Sequence, residues 1–214
     1  LVDADGKLLY PKRVLHALAV PYTQDERTIH EKLDAYCQSR ERDAGKNGNA
    51  FGTKFVNQLL KKRLFSSPAA FASTLEKHVA TISSPVARKE KGSMAERILR
   101  KAILRVEEDY ANDQDVENAQ AEAVEEASRG GQPLTAEQTR LLDEMRQWAQ
   151  RAKNQADSKA KAIIEWIETN LDANIQWNDR RVILFTEYRT THQWLQEILA
   201  SHGYGGERLS ILHG

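Results

Sequence analysis

The chain has 214 residues, of which 40% are hydrophobic and 29% charged, and its mean hydropathy is −0.64, a composition that supplies one or two buried cores within a hydrophilic chain. It contains no apolar run as long as a spanning helix, no signal peptide, and only one cysteine, Cys37, which cannot form an internal disulfide. A membrane-embedded or disulfide-stapled secreted protein is therefore excluded, and a cytoplasmic location is expected.

The formal net charge of +0, from 31 basic and 31 acidic residues, hides a division along the chain. Residues 51–105 hold twelve Lys or Arg against three Glu, and residues 106–137 hold ten acids against one Arg. A basic block can follow a phosphate backbone, and an adjacent acidic block can neutralise it or repel nucleic acid from the wrong face. Two solvated helix faces paired with each other are the plain alternative for any single residue.

Most of the chain reads as helix. Thr23 with Glu26, Ser93 with Glu96 and Thr135 with Gln138 fit capping boxes, and Ser67-Pro68 places a capping serine before a proline at the first helical position. These marks and the apolar spacing predict helices near 24–39, 52–64, 68–83, 94–127, 136–154, 158–173 and 190–202. Ile29, Leu33, Tyr36 and Cys37 form the stripe of the first, and Phe55, Val56, Leu59, Leu60 and Leu64 that of the second. The two long helices over 94–127 and 136–154 are expected to form an antiparallel hairpin turned by Ser128-Arg-Gly-Gly-Gln-Pro133. Residues 44–50 read as a flexible connection. Their glycines do not end in the Gly-Lys-Ser/Thr of a phosphate loop.

The C-terminal part changes pattern. Val182 to Phe185 is an uninterrupted β-favouring run, Thr186 to Thr191 a polar turn, and Trp194, Leu195, Ile198 and Leu199 a helical stripe. Gly203 terminates that helix, and Leu209 to Leu212 returns as a second strand. The unit reads as a right-handed βαβ, with the turn where open α/β sheets place ligands. The expected fold is mainly α, a helical linker plus a long helical hairpin, with this small α/β unit at the C-terminus.

At Val182, Ile183, Phe185, Thr186, Glu187, Tyr188, Thr191, Leu195, Leu199, Leu212 and Gly214, the sequence resembles the start of the second RecA-like motor domain of superfamily-two helicases and Swi/Snf-type translocases. Ser158-Lys159 with Ile163, Ile164 and Ile167 looks like the helix leading into that motif. Tyr10 to Arg27 is similar to the exit from the first motor domain, and Leu59 to Phe71 to the linking helices of bacterial members, those of anti-phage defence systems included. The resemblance covers 1–84 and 156–214. It implies an inter-motor linker over 1–91, a helical hairpin insertion over 92–155 and the start of the second RecA-like domain over 156–214.

It also implies that the turn and helix start contact the phosphates of a tracked strand, which assigns nucleic-acid binding to Thr186, Tyr188, Arg189 and Thr191, with Gly214 as a close backbone approach. Lys61, Lys62 and Arg63, in the basic block, are the second candidate group. A structural turn in which Thr190 or Thr191 caps the next helix is the competing reading of the same residues. The parent protein would be an ATP-dependent helicase using ATP and magnesium, acting on DNA over RNA. Its partners would be the remaining motor domain and a protein bound at the hairpin.

The chain itself has no Gly-x-x-x-x-Gly-Lys-Ser/Thr loop, no Asp-Glu-x-His and no arginine motif downstream, so no catalytic or cofactor-binding residue is assigned to it. Starting at Leu1 without Met and breaking off at Gly214, it is expected to be the middle of a longer protein. The six histidines show no metal-ligand spacing, so no metal is assigned, and Trp148, Trp166 and Trp194 read as core. A helical interaction or adaptor module is the alternative function.

Overall fold

The computed structural model describes residues 13–45, 50–84, 113–129, 132–171 and 179–212. The described residues form helices α1 (Gln24–Gly45), α2 (Ala50–Ser66), α3 (Pro68–Ser83), α4 (Asp113–Arg129), α5 (Ala136–Ala152), α6 (Ser158–Asn170) and α7 (Arg189–Ser201). A 3-10 turn follows at Gly206–Arg208, and no described residue lies in a β-strand. The molecule is mainly α. The capping box at 93–96, the first part of the expected 94–127 helix and Gly214 lie outside the described residues.

The helix starts form where the capping residues demand. The Glu26 carboxylate accepts from the Thr23 N–H at 2.7 Å while the Glu26 N–H donates to the Thr23 hydroxyl at 3.2 Å. Thr135 and Gln138 repeat the exchange at 3.1 and 3.2 Å, and the Ser67 hydroxyl accepts from the Ala70 N–H at 3.1 Å. At its other end, α7 closes with Gly203 at φ 86°, where the Gly203 N–H reaches the Ala200 carbonyl and the Tyr204 N–H the Leu199 carbonyl. That pairing requires the left-handed conformation glycine tolerates.

α3 is the centre of the packing, touching α2, α4, α5 and α7, while α1 closes over α2 and α5. One core joins Leu33, Tyr36, Leu60, Phe71, Leu75 and Met145, and so draws on α1, α2, α3 and α5, with the small Ala123 and Ala127 bringing α4 close. Among the described residues α4 packs on α2 and α3 and α5 on α1 and α3, so that α3 is the principal neighbour of both; most of the first helix of the expected hairpin lies outside the described residues. Each apolar stripe buries more by facing a shared core than by facing one partner helix.

A second core joins Ile164, Ile167, Leu171, Trp194, Ile198 and Leu199 between α6 and α7. The βαβ unit expected around it is not seen. Val182 and Leu209, the first residues of the two expected strands, pack against this core, but among the described residues no backbone hydrogen bond pairs their segments. Ile183, Leu184 and Phe185 are 68%, 38% and 91% exposed while Val182 and Thr186 are half-buried, so the centre of the run has no covered face. Without a neighbour to take its N–H and C=O groups, an extended run does not become a sheet. Trp166, expected in the core, is 39% exposed.

Candidate nucleic-acid interface

The residues assigned to phosphate contact converge where the end of α2 meets the start of α7. Thr191, in the first turn of α7, is buried, and its hydroxyl lies 2.6 Å from the Ser66 hydroxyl and 2.8 Å from that of Ser67, at the α2–α3 corner. The Arg63 guanidinium sits 3.9 Å above the centre of the Tyr188 ring, and Lys62 Nζ is 3.9 Å from the Glu187 carboxylate. Lys62 and Arg63 of the basic cluster therefore meet the polar turn, although they stand far apart from it in sequence.

Successive helical positions point about 100° apart, so the three basic residues diverge. Lys61 turns to α1 and pairs with Asp34 at 2.6 Å, with both side chains largely exposed. Lys62 is 55% exposed and faces the turn. Arg63 is buried, 5% exposed. Of the turn residues, Thr186 and Arg189 are half-buried, and Tyr188 is buried beneath Arg63. Burial, the Glu187 carboxylate and a hydrogen bond to it push the Tyr188 phenol up to about 12. Glu187 is thus engaged by Lys62 and Tyr188.

Thr190 and Thr191 do not cap α7. The N-cap residue is Tyr188, with extended backbone and no side-chain cap of its own, and the cap comes from another helix. Glu117 Oε1, on α4, accepts from the Thr190 N–H at 3.0 Å, from the Thr190 hydroxyl at 2.8 Å and from Arg63 at 3.2 Å. Burial pushes the Glu117 carboxyl up, but the Thr190 and Arg63 donors outweigh it and hold the group below its ordinary value. A second Arg63 nitrogen donates to Gln120 at 2.7 Å, while Arg63 Nε and Arg189 Nε are buried without a hydrogen-bond partner.

Ser158 and Lys159 tie the start of α6 to the same corner. The Glu26 carboxylate, already in the α1 capping box, also accepts from the Ser158 N–H at 2.8 Å and from its hydroxyl, so it serves two helix starts. Lys159 Nζ donates to the carbonyls of Phe65 and Ser66, the latter at 2.7 Å, closing the last turn of α2. Burial lowers the Lys159 ammonium, against the opposing pull of Asp157 and Glu26.

Sequence reasoning missed Glu117, Ser66 and Asp34 as members of this site. Ser67 carried a signal, its place before Pro68, but one for capping alone. Glu117 is one acid among ten, and only its tertiary neighbours distinguish it. Elsewhere His78 is fully enclosed, with Tyr36 Oη 2.6 Å from Nε2 and Ser128 Oγ 2.8 Å from Nδ1. No group of three or more His, Cys, Asp or Glu side chains gathers as a metal site among the described residues, and no described helix is long and apolar enough to cross a membrane.

Comparison of the chain with protein-family models, curated proteins and solved structures finds no match.

Proposed function

We propose that the chain is a segment of a cytoplasmic ATP-dependent nucleic-acid helicase or translocase, and that its α2–α7 corner contacts the phosphate backbone of DNA in preference to RNA. The observation that carries this reading is the meeting of Lys62 and Arg63 with Glu187 and Tyr188 of the turn, beside the contact of Thr191 with Ser66 and Ser67. Lys61 and Lys62 are the outward cations, suited to sequence-independent attraction. Thr186 and Arg189 would supply directed contacts, while Arg63, Tyr188 and Thr191 hold the turn in place.

In this reading the parent protein uses ATP and magnesium, and the segment, which carries no phosphate loop, contributes no nucleotide chemistry. The corner couples the linker helices to the motor domain that α6 and α7 begin, and α4 and α5 offer a surface to a protein partner. A helical interaction module is the second reading. It is favoured by the burial of Arg63, Tyr188 and Thr191, whose mutual contacts also suit a corner that only packs.

Replacing Thr186 and Arg189 with Ala separates the two. If they contact phosphates, binding of a fluorescent DNA oligonucleotide weakens by about 1–3 kcal/mol while the folded state persists. Unchanged binding, or no binding by either protein, favours the interaction module.

A further inference from the structure

The α7 N-terminus already holds an anion, the chain's own Glu117. Its Oε1 takes donors from the Thr190 N–H, the Thr190 hydroxyl and Arg63, a set suited equally to a phosphate oxygen. Arg63 is 5% exposed, its guanidinium reaches into the site, and its buried Nε has no hydrogen-bond partner. A phosphodiester carries one negative charge on two non-bridging oxygens, as a carboxylate does, and so can take the same donors in its place.

Glu117 belongs to α4, which packs on α2 and α3, and its carboxylate side chain is 18% exposed beside the buried Arg63. We propose that Thr190, Arg63 and the start of α7 form a phosphate site plugged by the Glu117 carboxylate, and that a phosphodiester binds there only by displacing it. The identification of that phosphodiester as nucleic acid rests on the function proposed above. The plug itself rests on the geometry alone. It gives the acidic α4 a definite role, because a bound strand must eject α4's carboxylate to gain the last contact. Engagement of the corner and movement of α4 then become one event.

The test is Glu117→Gln, which keeps an oxygen to accept from Thr190 but removes the competing charge. Inorganic phosphate, titrated against chloride at constant ionic strength, should raise the melting temperature of this variant saturably and leave that of the wild-type protein nearly unchanged. A DNA oligonucleotide should bind the variant roughly tenfold more tightly, the equivalent of about 1.4 kcal/mol. Adding Arg63→Gln should abolish both gains. Stabilisation by phosphate with no gain for the oligonucleotide would uphold the plug and overturn the nucleic-acid reading. Equal phosphate responses in variant and wild type, or none in either, would overturn the plug. If Glu117→Gln is unfolded in phosphate-free buffer, phosphate should restore its helical circular dichroism, and failure to do so counts against the plug as well.

Discussion

Ser67 and Thr191 stand 124 residues apart in sequence, and their hydroxyl oxygens lie 2.8 Å apart in a buried position. Ser67 also caps α3 through the Ala70 N–H, so one side chain starts one helix and anchors the first turn of another.

Ser67→Ala should therefore cost more than an ordinary cap, about 2 kcal/mol against the usual value near 1, because it also deprives the buried Thr191 hydroxyl of a partner. Thr191→Val should cost about 1–2 kcal/mol. In urea denaturation the double variant should lose less than the two single losses combined, since the second substitution removes a group already short of its partner. Strict additivity would show that the two hydroxyls do not interact.

His78 predicts how stability depends on pH. Burial, with Arg40 nearby, pushes its imidazole down to about 3 from an ordinary 6.5. The unfolded chain therefore takes up a proton below pH 6.5 that the folded chain refuses until near pH 3. The group's stabilising effect is complete above 6.5 and declines as pH falls between those values, by about 1.4 kcal/mol per unit. Between about pH 6.5 and 5, before most carboxylates titrate, urea midpoints should fall for the wild-type protein and fall less steeply for His78→Asn, in which His30, also lowered by burial, still contributes. Parallel slopes would mean that the enclosed ring is not the source.

Phe185 distinguishes an extended, solvent-facing segment from a packed strand. At 91% exposure, Phe185→Ser should change stability by less than about 0.5 kcal/mol, whereas removal of a core phenylalanine costs about 3–5. Thermal melting checks this directly, and a large loss would place Phe185 inside a core.

The helices are legible in the sequence where a local signal and a burial signal agree. Thr23 and Thr135 announce helices with capping partners three residues on, and both boxes form. Gly203, placed as a terminator by pattern alone, has the positive φ that its closing hydrogen bonds require. The strand is a different matter. Val182 to Phe185 has the composition of β structure, but pairing depends on a neighbour, which the segment's own residues do not encode.

The site is legible as a set of residues and obscure as an arrangement. Lys61, Lys62 and Arg63 look equivalent in sequence, yet helical rotation sends the first to Asp34, the second toward Glu187 and the third under cover against Tyr188. Thr190 reads as a cap in sequence and is instead capped from α4, because Tyr188 at the N-cap position supplies no acceptor. Contacts of this kind link residues by tertiary placement, and no spacing rule within one segment reports them.

The central claim, that the α2–α7 corner follows a phosphate backbone, is tested most directly by the salt dependence of DNA binding for the wild-type chain and for Lys61→Ala/Lys62→Ala. Both side chains are substantially exposed and Arg63 is left in place, so the fold should persist. The corner account predicts measurable binding at low salt, weaker binding by the variant, and a plot of log affinity against log salt shallower by roughly 0.7–0.9 for each phosphate that the variant no longer neutralises. Equal affinity and equal slope for the two proteins would contradict it.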